Sequence, residues 1–145
     1  MLRLSDIEDA LIADIKVGIA GVKTCETHEK EFDQMLLAAL LPRSPFVLIR
    51  YGGTTPNEEE RLSDNASGLN NREFFLSVGS ENQRSRKEAQ RGNYDLLDDL
   101  KERYDGKNLV VGASAVHLFY KGDYLLFSQD NLVVYALILG WDENS

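Results

Sequence analysis

The feature that most constrains this chain is its closing segment, Leu132-Val133-Val134-Tyr135-Ala136-Leu137-Ile138-Leu139-Gly140-Trp141, which carries no charge. A helix needs about 20 apolar residues to cross a bilayer, so this run is too short to be a membrane span. Its β-branched and aromatic content favours a strand. Apolar side chains at both odd and even positions need cover on both faces, which makes a central buried strand the primary reading. A strand with one face covered only by a partner subunit is the alternative. The residues before it keep strand spacing. Val116, Leu118 and Tyr120 share one face, Lys121-Gly122-Asp123 reads as a turn, Tyr124 to Phe127 returns, and Ser128 to Asn131 turns again. The chain should therefore close in a three-strand meander.

The opposite end has helical spacing. Ile7, Leu11, Ile15 and Ile19 recur every four residues, with Glu8, Asp9, Asp14 and Lys16 largely off that stripe. Ser5 and Glu8 have the spacing of a capping box, and Asp6, Glu8 and Asp9 put negative charge near the positive end of the helix dipole. An amphipathic helix is expected over 5–19, ended with help from Gly18 and Gly21. Val22 to Thr27 then reads as a short strand. A second helix is expected from Glu29 to Leu41, with Phe32, Leu36 and Leu40 in register and Pro42 as its stop. Phe46 to Tyr51 reads as a buried strand closed by Gly52-Gly53, and Phe74 to Val78 as another. Between those two strands, residues 53–71 have almost no large apolar side chain, which predicts an exposed mobile loop or a projecting hairpin. After a polar basic stretch from Gln83 to Arg91, Leu97, Leu100 and Tyr104 share a face. They predict a helix from about Tyr94 to Tyr104 that stops at Asp105-Gly106. The order predicts a single α+β domain over 1–145, with a mostly antiparallel sheet packed against two or three helices.

Composition supports one ordinary globular core. The chain has 145 residues, 43% hydrophobic and 28% charged, enough to bury a core without metal or disulfide staples. One cysteine, Cys25, cannot form an internal disulfide and fits a reducing compartment. The start of the chain, MLRLSDIEDALIADI, lacks the apolar core of a secretory signal, so synthesis in the cytoplasm is expected. The net charge of −8 argues against a dedicated nucleic-acid binder, which would need a basic surface to neutralise phosphates.

The residues offer little for catalysis. No G-x-S-x-G is present, and the spacing of Cys25 and His28 does not by itself make a nucleophile–base pair. Glu26, His28, Glu29, Glu31 and Asp33 form a polar cluster, but two histidines without zinc spacing favour a solvated loop over a metal site. Gly52-Gly53 and Gly106-Lys107 belong to no phosphate-binding fingerprint and read as turn and helix-stop glycines. Asp98-Asp99 and Glu58-Glu59-Glu60 are acids of the kind that ligate Mg²⁺, yet neighbours on a helix diverge and the Glu triplet lies in the expected loop. No catalytic residue, cofactor or metal is assigned.

A charge switch stands out around the last helix. Arg84, Arg86, Lys87 and Arg91 crowd together, and Asp95, Asp98, Asp99, Glu102 and Asp105 follow at once. Separated patches of opposite sign suit head-to-tail pairing of identical subunits, and Arg84, Arg86, Lys87, Arg91, Asp95, Asp98, Asp99 and Glu102 are the candidate interface. A salt-bridged solvent surface explains the same pattern.

Several stretches, in order, resemble the Mu-like phage and prophage tail terminator (tail completion) proteins. They are IEDALIADIK, ETHEKEFD, the strand PFVLIRYGG, the block FFLSVGSENQRSRKEAQRGNYDLLDDLKERYDGKNL with its Asn-x-Arg and Tyr-x-Leu-Leu patterns, and the hydrophobic closing strand. The resemblance spans nearly the whole chain and rests on structural motifs. It implies an α+β subunit that forms a ring, hexameric in this reading, on the end of the tail tube. The ring would stop tube polymerisation and face the head-tail connector protein. The implied partners are other copies, tail tube subunits and the connector; no membrane, cofactor or catalytic residue is implied. Two other classes stay open on the residues: a small adaptor binding a host or phage protein, and a metal-dependent nuclease or hydrolase using scattered acids.

Overall fold

The computed structural model describes residues 3–28, 39–40, 43–56, 70–81, 86–129 and 132–143. Within them lie α1 (Leu4–Gly18), β1 (Thr24–Thr27), β2 (Phe46–Pro56), β3 (Asn70–Glu81), α2 (Arg86–Tyr104), β4 (Lys107–Val111), β5 (Ser114–Gln129) and β6 (Leu132–Glu143). The six strands form one sheet in the order β1-β2-β3-β6-β5-β4. Only β1 and β2 run parallel; every other neighbouring pair is antiparallel. The expected α+β class, with a mostly antiparallel sheet, is the observed one. The helix expected over 29–41 is described only at Ala39 and Leu40, both helical; the rest of it lies outside the described residues.

β6 is the central strand its composition demanded, hydrogen-bonded to β3 on one side and β5 on the other. Leu137, Leu139 and Trp141 join Val47, Ile49, Phe74, Leu76 and Val78 on the face covered by α1 and α2. Leu132 and Val134 pack on the other face with Phe46, Leu48 and Leu40. The period of two in the side chains thus splits one uninterrupted apolar run between two cores.

α1 buries Ile7, Leu11 and Ile15 on the main core, and Ile19 follows just past its end. The expected capping box does not form. Arg3 occupies the cap, no side chain caps it, and its carbonyl receives the amides of Asp6 and Ile7, so Ser5 lies inside the first turn. Helix α2 begins at Arg86, about two turns earlier than its apolar stripe announced. Its first turns carry almost no apolar residue, so periodicity gave no signal there. Farther along, Leu96, Leu97, Leu100 and Tyr104 are buried as the stripe predicts, and Gly106 at φ 71° takes the left-handed stop.

Several strand boundaries differ from expectation; β1 starts at Thr24 and β3 extends beyond Phe74–Val78 to Asn70–Glu81. β2 does not close at Gly52-Gly53; it passes through a bulge between Tyr51 and Gly53 and continues to Pro56, paired with Asn70. The ends of the expected 53–71 loop are therefore the base of a hairpin, and residues 57–69 lie outside the described residues. β4 was not anticipated. It pairs with the start of β5 through a two-residue turn at Gly112-Ala113, with Gly112 at φ 61°.

The expected turn at Lys121-Gly122-Asp123 is instead a bulge within one sixteen-residue strand. Turn-type residues also suit a bulge, where one extra residue bends a strand without reversing it. Here Lys121 is the unpaired residue. Its ammonium reaches across β6, over Gly140, to Glu73 at 2.8 Å and Asn71 at 3.2 Å on β3. A Cβ on Gly140 would lie 2.6 Å from the Lys121 chain, so the glycine leaves the path open.

Candidate functional site

The charged residues singled out in the sequence fall on and just before α2. Arg86, Lys87 and Arg91 belong to its first two turns, and Arg84 lies outside the described residues. Asp95, Asp98, Asp99 and Glu102 are all exposed. At helical spacing, positions 87, 91, 95, 98 and 102 follow one stripe, so a single face changes from basic to acidic along its length. The basic start opposes the helix dipole.

Two of the acids, Asp99 and Glu102, line an open cleft with Gly18, Ile19, Ala20 and Arg103, where the C-terminal end of α1 meets α2. Helix carbonyls at that end carry partial negative charge. The cleft therefore sets two carboxylates and a negative helix end around the Arg103 guanidinium, which is itself paired with Asp14.

Beneath the stripe, α1 and α2 are clasped. Arg103 donates from Nε and Nη2 to the Asp14 carboxylate, at 2.8 and 2.9 Å, and the Tyr104 hydroxyl donates to the same carboxylate at 2.7 Å. The Arg103 hydrogen bond, aided by that of Tyr104, outweighs desolvation and holds the Asp14 carboxyl below the usual range. Burial first, then the hydrogen bond to Asp14, pushes the Tyr104 hydroxyl well above its ordinary value. Gly18 leaves room for the guanidinium, since a Cβ there would sit 2.0 Å from it. Sequence reading missed this clasp because its partners are 89 and 90 positions apart and no local pattern links them.

The other weighed candidates take structural places. Cys25 is buried, and desolvation pushes its thiol up to about 11 despite nearby Lys16. Such a thiol is protonated at neutral pH and a poor nucleophile. Glu26 pairs with Arg43 at 2.8 Å, and His117 Nδ1 lies 2.9 Å from the Asn108 side-chain oxygen. Glu29, Glu31, Asp33 and the Glu58-Glu59-Glu60 triplet lie outside the described residues. Among the described residues, no group of three His, Cys, Asp or Glu is placed to hold a metal ion. Nor is any described helix long and apolar enough to cross a membrane.

A further surface was not foreseen. Tyr124, Leu125 and Leu126 on β5 are 43%, 54% and 36% exposed, although they form part of the expected apolar strand. They lie where β5 has left β4 behind, and β4 pairs only as far as Leu118.

No protein-family model and no curated protein matches the sequence. Among solved structures, the chain is similar to one from the virion of a native gene transfer agent particle. The two share 12% identity at a TM-score of 0.51, over 94% of this chain and 90% of the other. At that identity the likeness is one of fold, and it extends over essentially the whole of both chains.

Proposed function

We propose that this chain is a structural subunit of a phage-like particle, a tail terminator that forms a ring on the end of the tail tube, stops its growth and joins it to the head. The observation that carries the reading is the end-to-end fold likeness to a chain of a gene transfer agent virion. The motif resemblance to tail terminators rests on the sequence and points to the same kind of particle. A small α+β domain has many uses, so fold alone would not choose among them.

The switch of charge along α2 supplies a physical route to the ring. Head-to-tail contact would bring the basic start of one α2 toward the Asp95, Asp98, Asp99 and Glu102 stretch of the next copy. Such heterologous contacts close into a ring when the rotation per subunit divides a full turn. The acidic balance of the chain suits a bore through which DNA slides, because like charge prevents adhesion to phosphates.

Native mass spectrometry over a concentration series, with and without tail tubes, tests the reading. A closed oligomer, or a tube end capped and shortened in its presence, is the expected result. A protein that stays monomeric in both settings would overturn it, and a one-to-one complex with some other protein would favour the adaptor instead.

A further inference from the structure

The first half of α2 has little apolar material with which to hold the sheet. From Arg86 to Asn93 the sequence offers Ala89 as its one apolar side chain, whereas Leu96, Leu97, Leu100 and Tyr104 bury the second half. The clasp to Asp14 also lies at the far end, at Arg103 and Tyr104. Yet Asn93 is completely buried. Its Nδ2 donates to the main-chain carbonyl of Val133 on β6 at 2.6 Å, and its Oδ1 has no hydrogen-bond partner among the described residues. Chemistry forces that orientation of the carboxamide, since a carbonyl can accept only from the nitrogen.

One residue earlier, Gly92 lets α2 come close to β3, where a Cβ would lie 2.9 Å from Ser80 Oγ. Ser80 and Val133 are partners across the β3–β6 ladder. Gly92 and Asn93 therefore rest on a single rung of the sheet. Neither residue favours a helix interior. Nor does Asn93 serve stability well, because a buried oxygen left unpaired costs at least what one hydrogen bond returns. What a directional bond supplies, and apolar contact does not, is a fixed position.

We infer that Asn93 is a positioning residue, which locks the start of α2 over the Ser80–Val133 rung and so sets where Arg86, Lys87 and Arg91 are presented to a neighbouring copy. The presentation to a copy rests on the ring reading; the lock itself does not. Leverage gives the lock its importance. The turns from Arg86 to Asn93 are a lever about 10 Å long. A tilt of about 20° at Asn93 would move its end by about 3–4 Å, which is the whole reach of an ion pair. A leucine of similar volume fills the same place but tolerates that tilt.

Spin labels read the position directly. With Cys25 replaced by alanine, labels at Lys87→Cys and Ser114→Cys should give one narrow distance in monomeric protein. Asn93→Leu should broaden that distance or shift it by several ångströms, while a control pair at Asp98→Cys and Ser114→Cys keeps its own. Asn93→Ala gives the same reading should leucine prevent folding. In assembly, N93L should raise the concentration required several-fold, and should add nothing in a background of Arg86→Glu, Lys87→Glu and Arg91→Glu. An unchanged Lys87–Ser114 distance in the folded variant overturns the lock. An equal change in both pairs also overturns it, because that is general loosening of the fold. A displaced start with wild-type assembly overturns the role in subunit contact. A wild type that never assembles removes the ring, and the distances in the monomer still decide the lock.

Discussion

Arg103 and Asp14 meet in a two-pronged ion pair, 2.8 and 2.9 Å, that ties the last turn of α2 to the third turn of α1. Both side chains keep about a third of their surface in water, so screening limits what the pair contributes. Its larger consequence is positional, because it fixes the helix bearing the charge switch against the helix that begins the chain.

Replacing Asp14 with Asn should lower stability by about 1 kcal/mol at neutral pH, read from denaturant midpoints. The pH dependence carries a sign. A carboxyl held below its ordinary 3.8 contributes stability above that value and loses it as pH falls through the lower folded value. The difference between wild type and D14N should therefore shrink in acid. A difference constant down to the lowest pH at which both fold would exclude the pair as its source. Tyr104 acts in the other direction. Its hydroxyl is held protonated above the ordinary 10.0, so its contribution is complete below pH 10 and falls as pH rises beyond. Tyr104→Phe should remove that alkaline component.

Reversing Arg84 and Arg86 to Glu should weaken self-association and change its salt dependence while leaving the melting temperature within a few degrees of wild type. Sedimentation velocity at two ionic strengths reads the effect. Wild-type assembly at both would assign the charge switch to solvent.

Gly79→Ala should destabilise the fold by about 1–3 kcal/mol. A Cβ at that position would lie 2.1 Å from the ring of Phe46, which is fully buried and part of the second core. Thermal unfolding measures it, and a melting temperature equal to that of wild type would mean that the ring has space to move.

Cys25 should react slowly with thiol reagents in the native state and rapidly once the chain is unfolded. Burial pushes its thiol up to about 11, so little thiolate is present at neutral pH. Its labelling rate therefore reports opening of the β1 edge of the core. Prompt native-state labelling would place the thiol outside the core.

The sequence by itself determined the elements whose burial is written in local spacing. The four-residue period of Ile7, Leu11, Ile15 and Ile19 gave α1, and the uncharged run to Trp141 gave a strand needing cover on both faces. Leu97, Leu100 and Tyr104 gave the buried half of α2, but not its start, because the sequence from Arg86 to Arg91 contains no apolar stripe that periodicity could register. Lys121-Gly122-Asp123 shows the limit in another form. Those residues permit either a turn or a bulge, and the pairing of β6 from Leu132 to Gly140 kept the strand continuous. Tertiary structure alone decided the Asp14–Arg103–Tyr104 clasp and the point where β5 parts from β4. Both depend on which distant segments become neighbours, and a side chain's local pattern records its own burial rather than the identity of what covers it.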